Sequence, residues 1–122
     1  MRVLLDTHVL LWAVLEDPRL SRAQRDAIVE GELYLSAASV WEIGIKRALG
    51  KLDVPAEIFG IAADAGCRPL PISWVHAEAA AALPPHHADP FDRMLVAQAR
   101  CVGLRLASSD ARMMAYEVDL IG

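Results

Sequence analysis

Val3-Leu4-Leu5 is an unbroken apolar run that stops at Asp6. A strand with no polar alternation has no face to offer to water, so it must be covered on both sides. Similar runs return at Leu33-Tyr34-Leu35, at Leu70-Pro71-Ile72 (where the proline weakens the strand), at Leu104 to Ala107 and at Val118 to Ile121. Helical stretches fall between them. One runs from about Thr7 to Leu15 and stops near Asp17-Pro18; Ser21 opens another that reaches Glu30 and closes at Gly31. Ser36 is the expected N-cap of a helix from Ala37 to about Leu49, and Pro55 suits the first turn of a helix reaching about Ala65. Trp74 to Leu83, Asp89-Pro90 through Val102, and a short stretch from Ser109 to Tyr116 complete the series. Short buried strands separated by helices predict an α/β chain: a single-domain three-layer α/β/α sandwich over residues 1–122, with a central parallel sheet.

A chain of 122 residues is the size of one domain, and 55% hydrophobic against 23% charged residues excludes disorder. Twelve Lys and Arg face sixteen Asp and Glu, a formal charge of −4. That balance argues against charge-driven binding of nucleic acid by the bare protein. It leaves a nuclease open, because a cluster of metal-binding acids itself pushes the count negative. Two cysteines, Cys67 and Cys101, make no disulfide framework and fit a reducing cytoplasm. No apolar stretch approaches the ~20 residues of a membrane span. The run from Val9 to Leu15 lacks the basic start and small-residue cleavage site of a signal peptide.

Ligands of open parallel sheets bind at the carboxyl ends of the strands. Asp6 ends the first strand, and Ser108, Ser109 and Asp110 directly follow the fourth. Glu42 lies six residues beyond Ser36, roughly 9 Å along its helix, and its side chain can reach back to the same edge. The helix from Pro90 to Val102 must deliver the chain to the amino edge, so its own start, with Asp92 in the first turn, lies at the carboxyl edge. Four carboxylates from distant parts of the chain thus meet. Each also has a local use. Asp6 and Asp110 suit helix caps, Ser39-Val-Trp-Glu42 matches a capping box, Glu42 can pair with Lys46, and Asp89 can cap the helix that Asp92 favours through its dipole. Caps have no need to converge, and convergent carboxylates repel unless a cation neutralises them. Hard divalent ions such as Mg²⁺ and Mn²⁺ suit that set of oxygens.

Other motifs fail. Gly44 to Lys51 has one residue too many for a phosphate-binding loop, with Leu52 where a hydroxyl is needed. His8, His76, His86 and His87 with the cysteines lack zinc spacing. His86-His87 reads as a solvated loop ahead of a phosphate contact, and Trp12, Trp41 and Trp74 read as core packing ahead of base stacking.

The segments Leu4-Leu5-Asp6-Thr7-His8-Val9-Leu10-Leu11-Trp12, Ser36-Ala37-Ala38-Ser39-Val40-Trp41-Glu42-Ile43 and Leu83-Pro84-Pro85-His86-His87-Ala88-Asp89-Pro90-Phe91-Asp92-Arg93-Met94-Leu95 resemble the PIN domain, and within it the VapC toxins of type II toxin–antitoxin modules. The tail, Leu106-Ala107-Ser108-Ser109-Asp110 with Ala115-Tyr116-Glu117-Val118, is similar in spacing to the family's last motif. The resemblance implies an α/β/α sandwich and a Mg²⁺- or Mn²⁺-dependent endoribonuclease. Asp6, Glu42 and Asp92 match the family's first three acids, and Asp110 falls near the fourth. Thr7 matches the hydroxyl residue after the first acid, and Ser108 keeps the hydroxyl of a position often held by threonine. Ala88 stands where arginine is common, so a phosphate contact from there is missing. Metal-activated water would hydrolyse an RNA phosphodiester, with Lys46, Arg47 and Arg93 as candidates for steering the backbone. The family also implies a small cognate antitoxin and a toxin homodimer. Faces such as Ile58, Ile61 and Ala62, or Trp12 and Leu15, are available for contacts, although core burial is the expectation for most of them.

Two other classes stay in view. A haloacid dehalogenase-type phosphatase also begins with a strand ending in Asp, but it wants a second Asp where His8 stands. A degenerate PIN-like domain that only binds a partner has no use for an intact set of acids.

Overall fold

The computed structural model describes residues 1–122, and its sheet is built outward from the first apolar run. In strand β1 (Arg2–Leu5), Val3, Leu4 and Leu5 are 0%, 0% and 2% exposed. Val3 and Leu5 enter one core layer and Leu4 the other, the alternation that a pleated strand enforces. The remaining strands are β2 (Glu32–Ser36), β3 (Arg68–Leu70), β4 (Arg105–Ala107) and β5 (Leu120–Ile121). They lie in the order β3-β2-β1-β4-β5, and every pair is parallel. The connections are helices α1 (Thr7–Val14), α2 (Arg22–Glu30), α3 (Ala37–Ala48), α4 (Ile58–Asp64), α5 (Trp74–Ala82) and α6 (Pro90–Val102), followed by a 3-10 helix at Ala111–Ala115. Val9, Leu10, Ala27, Ile43 and Ile58 cover one face of the sheet, while Ala80, Leu95, Val96 and Ala99 cover the other. The expected three-layer sandwich is what forms. No helix is long and apolar enough to cross a membrane.

Several local expectations are corrected. Pro55 does not open α4, which begins at Ile58 behind Glu57. The Pro55 carbonyl instead accepts hydrogen bonds from the Ile58 amide and the Arg47 guanidinium, while Leu52 and Val54 anchor this irregular stretch to the core. The third strand is Arg68–Leu70 rather than Leu70 to Ile72. Pro69 is tolerated because β3 is an edge strand, and Pro71 then stops it. The stretch from Ser109 to Tyr116 forms a 3-10 helix over Ala111–Ala115 alone, and the last strand shortens to Leu120–Ile121.

Only Trp12 of the three tryptophans packs on the core; Trp41 is 66% and Trp74 89% exposed. α3 turns Ala38, Ser39, Glu42 and Ile43 inward, which leaves Trp41 outside, and α5 buries only Ala80. Small alanines let α5 lie close, so its one aromatic has no place beneath it. Of the apolar positions offered for contacts, Ile58 and Ala62 are buried, whereas Leu15 and Ile61 stay accessible.

Arg93, a candidate for steering the RNA backbone, also makes contacts within the chain. From the first turn of α6 its Nη2 donates to the carbonyls of Ala80 and Leu83, both at 2.9 Å, and its Nη1 donates to Pro84 at 3.1 Å. These carbonyls end α5 and open the turn after it, where Ala80 also accepts from the Leu83 amide at 3.4 Å and Pro84 from the His86 amide at 2.9 Å.

The chain passes from β1 to β2 and β3 on one side, then returns to β4 and β5 on the other. The carboxyl ends of β1 and β4 therefore flank the point where the winding reverses, the natural ligand site of such a sheet.

Removing the guanidinium should loosen the α5–α6 pair. Arg93→Met is expected to cost about 2 kcal/mol, since the charge-assisted hydrogen bonds to these carbonyls are lost. Thermal melting should show a midpoint lower by ~5–10 °C, and an unchanged midpoint would refute this role.

Candidate active site

Asp6 is the single residue between β1 and α1, and it is 2% exposed. It occupies the N-cap position of α1, but its side chain makes no capping bond. Instead Oδ2 accepts from the Ser108 hydroxyl at 2.8 Å, directly after β4. The Asp6 amide donates to the Ala107 carbonyl at 3.0 Å, so both bonds cross the switch point of the sheet. Oδ1 is buried with no partner. Burial raises the Asp6 carboxyl above the ordinary carboxylate range; the Ser108 hydrogen bond opposes the rise and the Glu42 charge adds to it.

Glu42 comes from the second turn of α3 and is 3% exposed. Ser36 caps this helix by accepting from the Ala38 amide, so no capping box forms at Ser39-Val-Trp-Glu42. Ser39 instead accepts from the Thr7 hydroxyl at 2.8 Å, which locks the starts of α1 and α3 together. Glu42 Oε2 meets Lys46 Nζ at 2.7 Å, the expected pair one turn on. Its Oε1 is buried and unpartnered.

Asp92 stands in the first turn of α6, capped by Asp89 Oδ1 through the amides of Phe91 (2.8 Å) and Asp92 (3.2 Å). The Asp92 carboxyl is pushed up to about 7, first by burial and then by the charges of Asp6, Asp89 and Glu42, against a smaller downward pull from His87. Three acids from three elements thus share one electrostatic field. Asp110 is partly exposed and caps the 3-10 helix through the Arg112 amide. The Arg112 guanidinium clasps both its oxygens and holds this carboxyl well below the ordinary range.

His87 corrects the sequence reading. It is 3% exposed rather than solvated, with Nε2 2.8 Å from Asp92 Oδ2 and 3.0 Å from Asp110 Oδ2. His86 does stay exposed, its ring edge-on to Tyr116. The available signal was position: a loop stiffened by Pro84-Pro85 and Asp89-Pro90 leads straight into the helix that carries Asp92.

The cations divide as well. Lys46 sits among the acids, whereas Arg47 is taken up by Pro55 and Arg93 by the end of α5. Sequence reading missed His8 and Arg19. With Asp6, Trp12, Ser109 and Asp110 they line a cleft of about 280 Å³. Arg19 gets there by lying 5.2 Å over the Trp12 ring while pairing with Asp17, a fold-back around Pro18 that leaves no sequence signature.

Two buried carboxylate oxygens, Asp6 Oδ1 and Glu42 Oε1, have no partner in the chain, and hard oxygen donors of this kind suit a divalent cation; the three potential ligands that lie within 4.8 Å of one another are His87, Asp92 and Asp110. Nothing else in the chain answers Asp6 Oδ1 or Glu42 Oε1.

The fold is similar to a chain of VapBC2 from Rickettsia felis bound to a DNA fragment from their promoter, with a TM-score of 0.72 and 11% identity, covering 98% of this chain and 97% of that one. It is similar to FitAcB from Neisseria gonorrhoeae (TM-score 0.67, 21% identity, 98% and 96% covered) and to a toxin–antitoxin complex from Klebsiella pneumoniae (0.68, 18%, 98% and 96%). Comparison with curated protein sequences returns no match. The model of the PIN domain matches residues 3–119. That span holds Asp6, Glu42, Asp92 and Asp110 in one continuous fold, and with it the chain belongs to the PIN domain family.

Proposed function

We propose that this protein is a Mg²⁺- or Mn²⁺-dependent endoribonuclease, the toxin of a toxin–antitoxin pair. The observation that carries the reading is the pair of orphaned oxygens, Asp6 Oδ1 and Glu42 Oε1, buried beside Asp92. A domain that merely bound a partner would gain nothing from keeping three repelling acids out of water.

Asp6, Glu42 and Asp92 would hold the ion, with Asp110 at the rim of the same edge. Bound there, a divalent ion supplies a water of lowered pKa and offsets charge building on the phosphoryl group. The chain's own residues prepare the place. Ser108 fixes one Asp6 oxygen and so sets the rotamer of the carboxylate. Thr7 and Ser39 hold α1 against α3, which keeps Asp6 and Glu42 at a constant separation. Lys46 restrains Glu42 and offers its charge near the edge, while His8 and Arg19 line the adjoining cleft where a polyanion would approach. Arg47 and Arg93, committed elsewhere, would at most influence RNA from a distance.

A nuclease of this kind must be silenced in the cytoplasm that makes it. The exposed Trp41, and the apolar groove of about 620 Å³ that it shares with Val40, Phe59 and Leu70, support a small antitoxin or a second toxin subunit as partner. The neighbouring structures of toxin–antitoxin complexes favour the same assignment.

Cleavage of total RNA should stop in EDTA and return with Mn²⁺ or Mg²⁺; cleavage undiminished by chelator would end the metal reading. Asp92→Asn should lower cleavage by orders of magnitude. Asp89→Asn should stay near wild type, because Asn Oδ1 caps a helix as well as Asp does. A folded Asp92→Asn that cuts normally would refute the site.

The raised pKa of Asp92 fixes the sign of a pH effect. A carboxyl whose folded value lies above its unfolded one costs stability as pH climbs from about 4 to about 7 and adds no further cost beyond. In chelator, the wild-type melting midpoint should therefore fall across that window, and the Asp92→Asn midpoint should fall by several degrees less. Parallel curves would show that Asp92 is not held against its charge.

A further inference from the structure

His87 is the one buried titratable side chain at the acid edge that this scheme leaves without a task. Its Nδ1 accepts a hydrogen bond from the Asp89 amide at 3.2 Å. A ring nitrogen that accepts carries no proton, so the neutral imidazole bears its hydrogen on Nε2. That Nε2–H is hydrogen-bonded to Asp110 Oδ2 at 3.0 Å, and Asp92 Oδ2 lies 2.8 Å from the same nitrogen at ion-pair distance. His87, Asp92 and Asp110 are close enough to one another to share an ion, their ligand atoms lying within 4.8 Å. A protonated nitrogen, however, has no lone pair to give a metal. Ligation through Nε2 would move the hydrogen to Nδ1 and set it against the Asp89 N–H, two donors face to face.

Asp110 is equally committed. Its Oδ1 accepts from the Arg112 amide (3.0 Å) and Nε (3.1 Å), and its Oδ2 from Arg112 Nη2 (2.9 Å) and His87. Each oxygen already has two donors. The main chain under the ring is pinned too: the His87 amide donates to the Tyr116 hydroxyl at 3.0 Å, which donates to the Pro84 carbonyl at 2.8 Å.

We propose that His87 is a positioning residue: its Nε2–H is bonded to Asp110, and the same ring nitrogen, 2.8 Å from Asp92 Oδ2, fixes where that oxygen stands so that the other serves the cation. Asp110, aimed by Arg112, acts on Asp92 through this imidazole rather than as a ligand of its own. The inference rests on the metal site proposed above and assigns the division of labour within it. Outer-shell partners of this type tune metal affinity about 10–100-fold.

Two measurements test it. Long-range ¹⁵N–¹H correlation of the imidazoles, in chelator at neutral pH, should show His87 with Nδ1 bare and Nε2 protonated. The opposite tautomer overturns the proposal whatever the protein cuts. Calorimetric titration with Mn²⁺ should show affinity ~10–100-fold weaker in His87→Leu. His87→Gln, which keeps an N–H donor, should recover most of the loss. Adding Asp110→Asn to His87→Leu should change little, because its route to Asp92 is already cut. A further large loss in that double variant would make Asp110 a direct ligand and overturn the relay. Equal Mn²⁺ affinity in wild type and folded His87→Leu overturns the positioning role alone, whereas wild-type protein that binds no Mn²⁺ refutes the metal reading beneath it. If His87→Leu does not fold, the His87→Gln affinity and the tautomer carry the decision: a His87→Gln that binds Mn²⁺ more than ~100-fold below wild type overturns donor replacement.

Discussion

A carboxylate at 2% exposure is the constraint around which this structure is arranged. Burying a charge costs far more than a fold of this size can spare unless partners meet it. Asp6 is met on one oxygen by Ser108 and on the other by nothing in the chain. Glu42 repeats the pattern, with Lys46 on one oxygen and nothing on the second. The fold supports these half-satisfied acids by rigidity elsewhere. β1 is covered on both faces, Ser36 belongs at once to a strand end and a helix cap, and the Thr7–Ser39 bond ties the first helix of one connection to the helix of the next. Each acid is thus held in place by one oxygen while the other has no partner in the chain.

The tension grows toward α6. Asp92 joins acids already in place, and its carboxyl rises to about 7 because burial and three neighbouring negative charges act together. Asp110, only a short distance beyond His87, goes the other way because Arg112 reaches it through water-accessible space. The same edge thus contains acids that hold a proton tightly and one that releases it readily. Burial separates them more than sequence does.

The periodicity of this chain makes the layers legible. Val3-Leu4-Leu5 demands cover on both faces, and the helix from Pro90 to Val102 must begin where β4 ends. Those two facts already bring Asp6, Asp92 and Asp110 to one edge. Glu42 follows from its reach along α3. Illegible were features that depend on what lies beneath a side chain. Trp74 has the composition of a core residue, yet α5 packs through alanine and leaves the indole outside. Arg93 looks like a phosphate contact, but the carbonyls ending α5 claim it first. Pro55 has the right chemistry for a helix start, and the chain delays that start to seat Leu52 and Val54.

His87 shows why such errors gather near the site. Surface loops with polar residues are solvated by default, and two histidines between proline pairs carry no periodicity to say otherwise. What buries the ring is a set of donors and acceptors fixed by other elements: the Asp89 amide at the start of α6, the Asp92 carboxylate one turn in, Asp110 after β4 and the Tyr116 hydroxyl beneath. Each of these has a local reason to be where it is, as a cap or an anchor. Their convergence on one imidazole follows from the strand order, because β4 must lie beside β1 for Asp110 to face Asp92 at all. A local cap and a site residue are therefore compatible assignments for the same acid. Asp110 caps its 3-10 helix with one oxygen and reaches His87 with the other.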